Sequence, residues 1–211
     1  MDFTALSETV IKGNMDGAVK ETQKALDAGS DPQQILDQGL IAAMDVVGEK
    51  FSQGTMFVPQ MLRSAKTMQA CVALLKPQFQ AGTVSSKGKI VMGTVKGDLH
   101  DIGKNLVAMM LEGAGFTIVD LGVDVAPEAF VKAVADEAPQ IVGMSALLST
   151  TMPSMKATIE ALKQAGHRDK VKIMIGGAPV TSQFAKEIGA DRYAPDAGSA
   201  VSEAKGLLAP G

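Results

Sequence analysis

Apolar positions in the first third of the chain recur at helical spacing. Phe3, Leu6 and Val10 share one face of a short first helix that Gly13 ends. Asn14 has the side chain to cap a second helix, which carries Ala18, Val19 and Leu26 and runs to Gly29. Asp31-Pro32 joins a capping side chain to a proline at the first helical position, and Leu36, Leu40, Ala43, Val47 and Phe51 follow at helical spacing until Gly54. Pro59 opens a fourth helix with Leu62, Ala65, Val72 and Leu75 on one face. Four helices with short joints predict a small bundle over residues 1–81. At the joint before Pro59, Met56, Phe57 and Val58 stand in a row and cannot all face a bundle core. Either they pack on the rest of the protein or they cover an apolar ligand.

Residues 82–88 are small and polar, the composition of a linker. From Lys89 the pattern becomes strand and helix in alternation. Short apolar runs at 89–95, 117–121, 140–145, 171–176 and 191–194 read as strands buried on both faces, with helices at 103–114, 127–138, 153–165, 181–188 and 197–208 between and after them. Five such units predict an α/β domain over 89–211 with a parallel, doubly wound sheet. Sheets of this kind bind ligands beyond the carboxyl ends of their strands.

Composition narrows the reading further. The chain has 211 residues, 46% hydrophobic and only 4% aromatic, so aliphatic side chains and thirteen methionines must fill the cores. A net charge of −3 argues against nucleic acid or an anionic membrane as partner. The single Cys71 excludes an intramolecular disulfide and fits a reducing cytoplasm. The N-terminus lacks the pattern of a secretory signal, and no apolar run approaches the ~18 residues of a membrane span. A cytoplasmic protein is expected.

The candidate chemistry lies in the loop after the first strand, where Asp98, His100, Asp101 and Gly103 stand together. His100 is one of two histidines in the chain. A neutral imidazole is the commonest nitrogen ligand for a transition metal, and a carboxylate on the other ring nitrogen fixes its tautomer. Asp-x-His alone supports either an axial ligand to a metal or cofactor or a solvated loop histidine. His167, in a polar turn on the other side of the sheet, reads as a surface residue. His100 follows strand one, Ser145 ends strand three and Gly176 ends strand four, so these residues converge on one edge of the predicted sheet.

Asp98-Leu99-His100-Asp101-Ile102-Gly103 resembles the DxHxxG motif of cobalamin-binding domains. About forty residues on, Ser145-Ala146-Leu147 matches their SxL motif, and Gly176-Gly177 matches their GG motif. With the helical segment before them, the resemblance covers nearly the whole chain and is to the stand-alone corrinoid proteins of anaerobic methyltransferase systems and to the cobalamin-binding module of methionine synthase. It implies a helical bundle that caps the corrin ring, followed by a flavodoxin-like sheet of order 2-1-3-4-5. The cofactor implied is cobalamin or a related cobamide cycling between Co(I) and methyl-Co(III), its lower base displaced by His100 as the axial ligand to cobalt. Asp98, Asp101, Ile102 and Gly103 would belong to the binding loop, and Met56, Phe57 and Val58 to the cap. Ser145 and Leu147 would contact the buried nucleotide tail, with Gly103, Gly143, Gly176 and Gly177 giving it room, and Tyr193 and Ala197 would lie at the same edge. Thr151, six positions after Ser145, would join Asp98 and His100 in a hydrogen-bonded relay.

The resemblance further implies a carrier that turns nothing over by itself. It would shuttle a methyl group from a donor-specific methyltransferase to an acceptor methyltransferase using tetrahydrofolate or a thiol, with a corrinoid reductive activase as a third partner. The linker would be the hinge on which the cap moves aside. The alternative from another class is a cobalamin-dependent sensor or regulator. Such proteins usually add a DNA-binding head, for which the chain shows no basic helix-turn-helix.

Overall fold

The computed structural model describes residues 2–78 and 86–209. Residues 79–85, which include most of the expected linker, lie outside the described residues. The chain divides into two compact units, a helical one and one that begins at Gly88 and holds the sheet. Among the described residues no helix is long and apolar enough to cross a membrane.

The helical unit contains α1 (Thr4–Ile11), α2 (Met15–Asp27), α3 (Pro32–Gln34), α4 (Ala42–Ser52) and α5 (Val58–Leu75). The expected starts are present: Asn14 Oδ1 accepts from Gly17 N at 3.1 Å and Asp31 Oδ1 from Gln33 N at 3.0 Å, with Pro32 beginning α3. The third helix departs from the expected regular course. Between α3 and α4 it runs through a π-helical stretch, Ile35–Ile41. A Cβ at Gly39 would come within 2.8 Å of Leu6 Cδ2, and Ser7 Oγ donates to the Gly39 carbonyl at 2.8 Å. The wider turn disturbs the usual carbonyl ladder, and α1 fits closely against it while bonding one of its carbonyls. The apolar joint resolves by sending Met56 inward, while Phe57 and Val58 stay exposed, the former by 68%.

The second unit is built on β1 (Lys89–Thr94), β2 (Thr117–Asp120), β3 (Ile141–Ser145), β4 (Lys172–Gly176) and β5 (Arg192–Ala194). All neighbours are parallel, in the order β2-β1-β3-β4-β5. The helices are α6 (Ile102–Gly113), α7 (Pro127–Glu137), α8 (Pro153–Gln164), α9 (Ser182–Ile188) and α10 (Ala197–Leu208). Right-handed crossovers place α6, which steps outward to β2, on the opposite face from α7, α8 and α9, which step back across the sheet. Phe130, Ile159, Leu162 and Ile188 from those three helices bury Val91, Val142, Ile173 and Ile175. Burial on both faces holds for β1, β3 and β4 but not for the edges. β2 is exposed at Thr117 and Asp120 and half-buried between, and β5 exposes Arg192, because each edge strand has a neighbour on one side only.

Register lines up the strand ends. Thr94 pairs with Ser145, Ser145 with Gly176, and Gly176 with Ala194, so one row across four strands marks the carboxyl edge. The switch in strand order lies beside β1, whose outgoing loop carries His100.

Candidate functional site

Asp98 organises the edge. Its side chain is fully buried, and every acceptor position is used. Oδ1 lies 2.7 Å from His100 Nδ1 and accepts the His100 amide at 3.1 Å. Oδ2 accepts the Leu147 amide at 2.8 Å, the Leu148 amide at 3.3 Å and the Thr151 hydroxyl at 2.7 Å. A carboxylate can only accept, so the ring proton resides on Nδ1 and Nε2 keeps its lone pair. The His100 side chain is 50% exposed, and Nε2 has no hydrogen-bond partner among the described residues.

Burial pushes the Asp98 carboxyl toward higher pKa, but the Thr151 hydroxyl, the Leu147 amide and the two His100 contacts outweigh it. The net effect holds the group well below the usual carboxylate range, as a buried anion. Thr151, itself buried, also has the Leu148 carbonyl 2.8 Å from Oγ1. Its single hydroxyl proton can serve only one of the two oxygens at a time.

The loop is fixed from several sides. Thr94 Oγ1 donates to the His100 carbonyl at 2.9 Å, and Asp124 N donates to the Asp98 carbonyl at 2.9 Å. Asp124 adopts φ +53°, a left-handed conformation that Asp tolerates better than most residues. Its carboxylate accepts from Gly97 N at 2.8 Å and lies 3.1 Å from Lys96 Nζ. Asn105 Nδ2, on the first turn of α6, donates to Asp101 Oδ2 at 3.1 Å.

The structure therefore brings together Asp98, His100, Leu147 and Thr151 by direct hydrogen bonds, with Asp101, Ile102 and Gly103 continuing into α6. Ser145 is the register partner of Thr94 on β3. Gly176 and Gly177 adjoin this group through backbone. At Gly177, φ is +134° and a Cβ would sit 1.8 Å from the Ala146 carbonyl oxygen, so the chain's own close approach requires glycine there. A Cβ at Gly143 would press on Met92 Cγ at 3.2 Å, whereas Gly103 has nothing within 4 Å. Tyr193 is half-buried against the apolar cluster under α7 to α9, and Ala197 is buried in the first turn of α10. Met56, Phe57 and Val58 belong to the other unit. Sequence reasoning missed Thr94, Lys104, Asp120, Asp124 and Leu148. Lysine in the first turn of a helix, where the dipole disfavours a cation, was the one available signal among them.

Two features define what the edge can hold. Leu99, Ile102, Leu147 and Leu148 are 72%, 84%, 43% and 43% exposed, an apolar surface beside one unsaturated nitrogen. No group of three ligating side chains occurs among the described residues. A bare metal ion would therefore find one ligand and an oily surround, whereas a metal that brings its other ligands in a flat organic ring would find an axial donor and a surface to cover. The residues fit a metal-bearing macrocycle.

Comparison with known proteins agrees. Residues 88–204 match the family described as B12 binding domain, and residues 3–76 match a second family of the same description. The chain is 44% identical over 196 residues to trimethylamine corrinoid protein 2 of Methanosarcina mazei, covering 92% of this chain and 90% of that one. It is 42% identical to dimethylamine corrinoid protein 2 of Methanosarcina acetivorans, covering 96% and 94% of the two chains. A chain of the methanol:cobalamin methyltransferase complex MtaBC of Methanosarcina barkeri superposes with a TM-score of 0.87 at 31% identity, over 98% of this chain and 79% of that one.

Proposed function

This chain belongs to the family of B12-binding corrinoid proteins of methyltransferase systems, and on that premise we propose that it is a methyl carrier. It receives a methyl group from a donor-side methyltransferase and presents it to an acceptor-side one. The observation that carries this reading is the His100 ring, held through Nδ1 by a buried, charged Asp98 with Nε2 left free. A bound corrinoid supplies the cobalt on which the methyl group rides.

The chain's residues have distinct tasks in this reading. His100 Nε2 would hold the cobalt in place of the cofactor's own base. Asp98 keeps the proton on Nδ1 and raises the basicity of the free nitrogen, while Thr151 and the Leu147 and Leu148 amides keep Asp98 ionised. Leu99, Ile102, Leu147 and Leu148 would exclude water from the corrin surface they cover. Gly103, Ser145, Gly176 and Gly177 would leave room for the cofactor's tail, with Tyr193 and Ala197 behind them. Within the helical unit, Phe57 and Val58 form an exposed apolar pair beside the buried Met56.

We assign the donor to the methylated amines. The support is an identity of 42–44% to the trimethylamine and dimethylamine corrinoid proteins, against 31% to the chain from the methanol complex. Loading the apoprotein with hydroxocobalamin tests the core of the reading: an imidazole-ligated absorption spectrum is expected, and His100→Ala should abolish it. An unchanged spectrum in that variant, or no retained cobalamin, ends the assignment. Reduced, loaded protein is then offered an amine methyltransferase with its amine, or a methanol methyltransferase with methanol. Methylation by methanol alone would overturn the donor class.

A further inference from the structure

Lys104 is a buried ionisable group to which the carrier role gives no task. It sits in the first turn of α6, three residues past Asp101, with its side chain 1% exposed. Two effects oppose a cation there: burial disfavours the ammonium, and the helix N-terminus already carries partial positive charge. Its partners show what offsets both. Nζ donates to Asp120 Oδ2, at the end of β2, and to Asn105 Oδ1 at 2.7 Å.

Two hydrogen-bonded routes leave this ammonium and close on the two shoulders of His100. The first runs from Nζ through the Asn105 amide to Asp101, the residue after His100. The second runs through Asp120, whose Oδ1 accepts the Gly122 amide at 2.9 Å. The Gly122 carbonyl accepts Thr94 N at 2.9 Å, and the Thr94 hydroxyl holds the His100 carbonyl. Two residues beyond Gly122, Asp124 N holds the Asp98 carbonyl. The fully exposed alternative, a lysine in water, would fix neither route.

We propose that Lys104 is a positioning residue for the axial histidine: its buried ammonium clamps the loops after β1 and β2 so that His100 Nε2 stays aimed at the metal. The proposal rests on the ligand role assigned to His100. Lys104 touches neither substrate nor cofactor and acts through Asn105 and Asp120.

The test uses full-length protein grown with 15N-labelled histidine and loaded with cob(II)alamin, read by electron paramagnetic resonance. A histidine ligand splits the cobalt lines into 15N doublets, whereas the cofactor's own unlabelled base gives triplets. The variants are Lys104→Met, which keeps the volume and removes the charge, and Asn105→Ala, which cuts only the first route from an exposed position. Wild type should show doublets. Both variants should show loss of doublet intensity at temperatures well below unfolding, about 10-fold in the ligation constant for Lys104→Met, the lower end of what outer partners of a metal ligand typically contribute. Triplets in the wild type would overturn the His100 assignment, and this inference with it. Doublets of equal intensity in wild type and both variants would overturn the positioning role alone. Should Lys104→Met fail to fold, Asn105→Ala decides, since a purely structural lysine gives no reason for ligation to weaken when Asn105 is trimmed.

Discussion

Asp98→Asn changes two atoms' chemistry and almost no volume, yet it should move the proton on His100. The Leu147 and Leu148 amides and the Thr151 hydroxyl all point donors at Oδ2. Only the amide oxygen of asparagine can meet them, so its NH2 must turn to His100 Nδ1. That nitrogen then has to accept, and the ring proton shifts to Nε2, the atom that the proposed ligation requires. Restoring the original tautomer would set two donors face to face and leave a buried polar group unmet, about 1–3 kcal/mol, or roughly 5- to 150-fold in ligation. Replacing charge-assisted bonds by neutral ones costs about 1 kcal/mol each, so the loss over the Thr151, Leu147 and His100 contacts is about 3 kcal/mol of folding stability. The assay needs no cofactor. Long-range proton–nitrogen spectra of 15N-histidine apoprotein distinguish the tautomers, and with two histidines in the chain His167 serves as the internal control. A variant whose His100 still carries its proton on Nδ1 would refute the reasoning.

Thr151→Val removes one charge-assisted donor from Asp98 and should lower stability near neutral pH by about 1.5–3 kcal/mol. Because the folded carboxyl titrates below its unfolded value near 3.9, that contribution is complete above the unfolded value and is lost only as pH falls through the folded ones. Urea midpoints from neutrality down to strong acid should therefore converge for the two proteins, and a pH-independent gap would contradict the charged state of Asp98. Gly177→Ala, with its Cβ driven into the Ala146 carbonyl at 1.8 Å, should destabilise by more than about 3 kcal/mol or prevent folding, as thermal melts would reveal. Gly103→Ala meets nothing within 4 Å and should melt within about 1 kcal/mol of wild type while taking up less cobalamin; normal uptake would remove Gly103 from the proposed tail path.

Much of the fold was legible because burial dictates it locally. Apolar runs of strand length and proline or capping residues at helix starts, such as Asn14, Asp31-Pro32, Pro127 and Pro153, fall where the chain turns. The π-helical stretch was not legible, since Ile35–Ile41 reads as good helix and the wider turn answers to the approach of α1 at Gly39, a tertiary contact. At the edge, the order of motifs signalled that Asp98, His100 and Thr151 meet. The backing by Thr94, Asp120 and Asp124 was silent, because each is an ordinary polar residue at a strand end or in the loop beyond it until the fold brings it alongside the histidine loop. Lys104 went unread for the same reason: sequence shows its charge but not which way α6 turns it.

The donors around Asp98 Oδ2 come from positions 49 to 53 residues further along the chain. A peptide cut from Gly93 to Gly115 would preserve all the letters of the histidine loop and none of its electrostatics, leaving a common imidazole next to a common acid. Competence at this spot therefore requires β3 to lie against β1, and on the proposed reading a copy without that pairing would offer cobalt no preferential home. Loading of the cofactor would double, in consequence, as a report that β1 and β3 have come together.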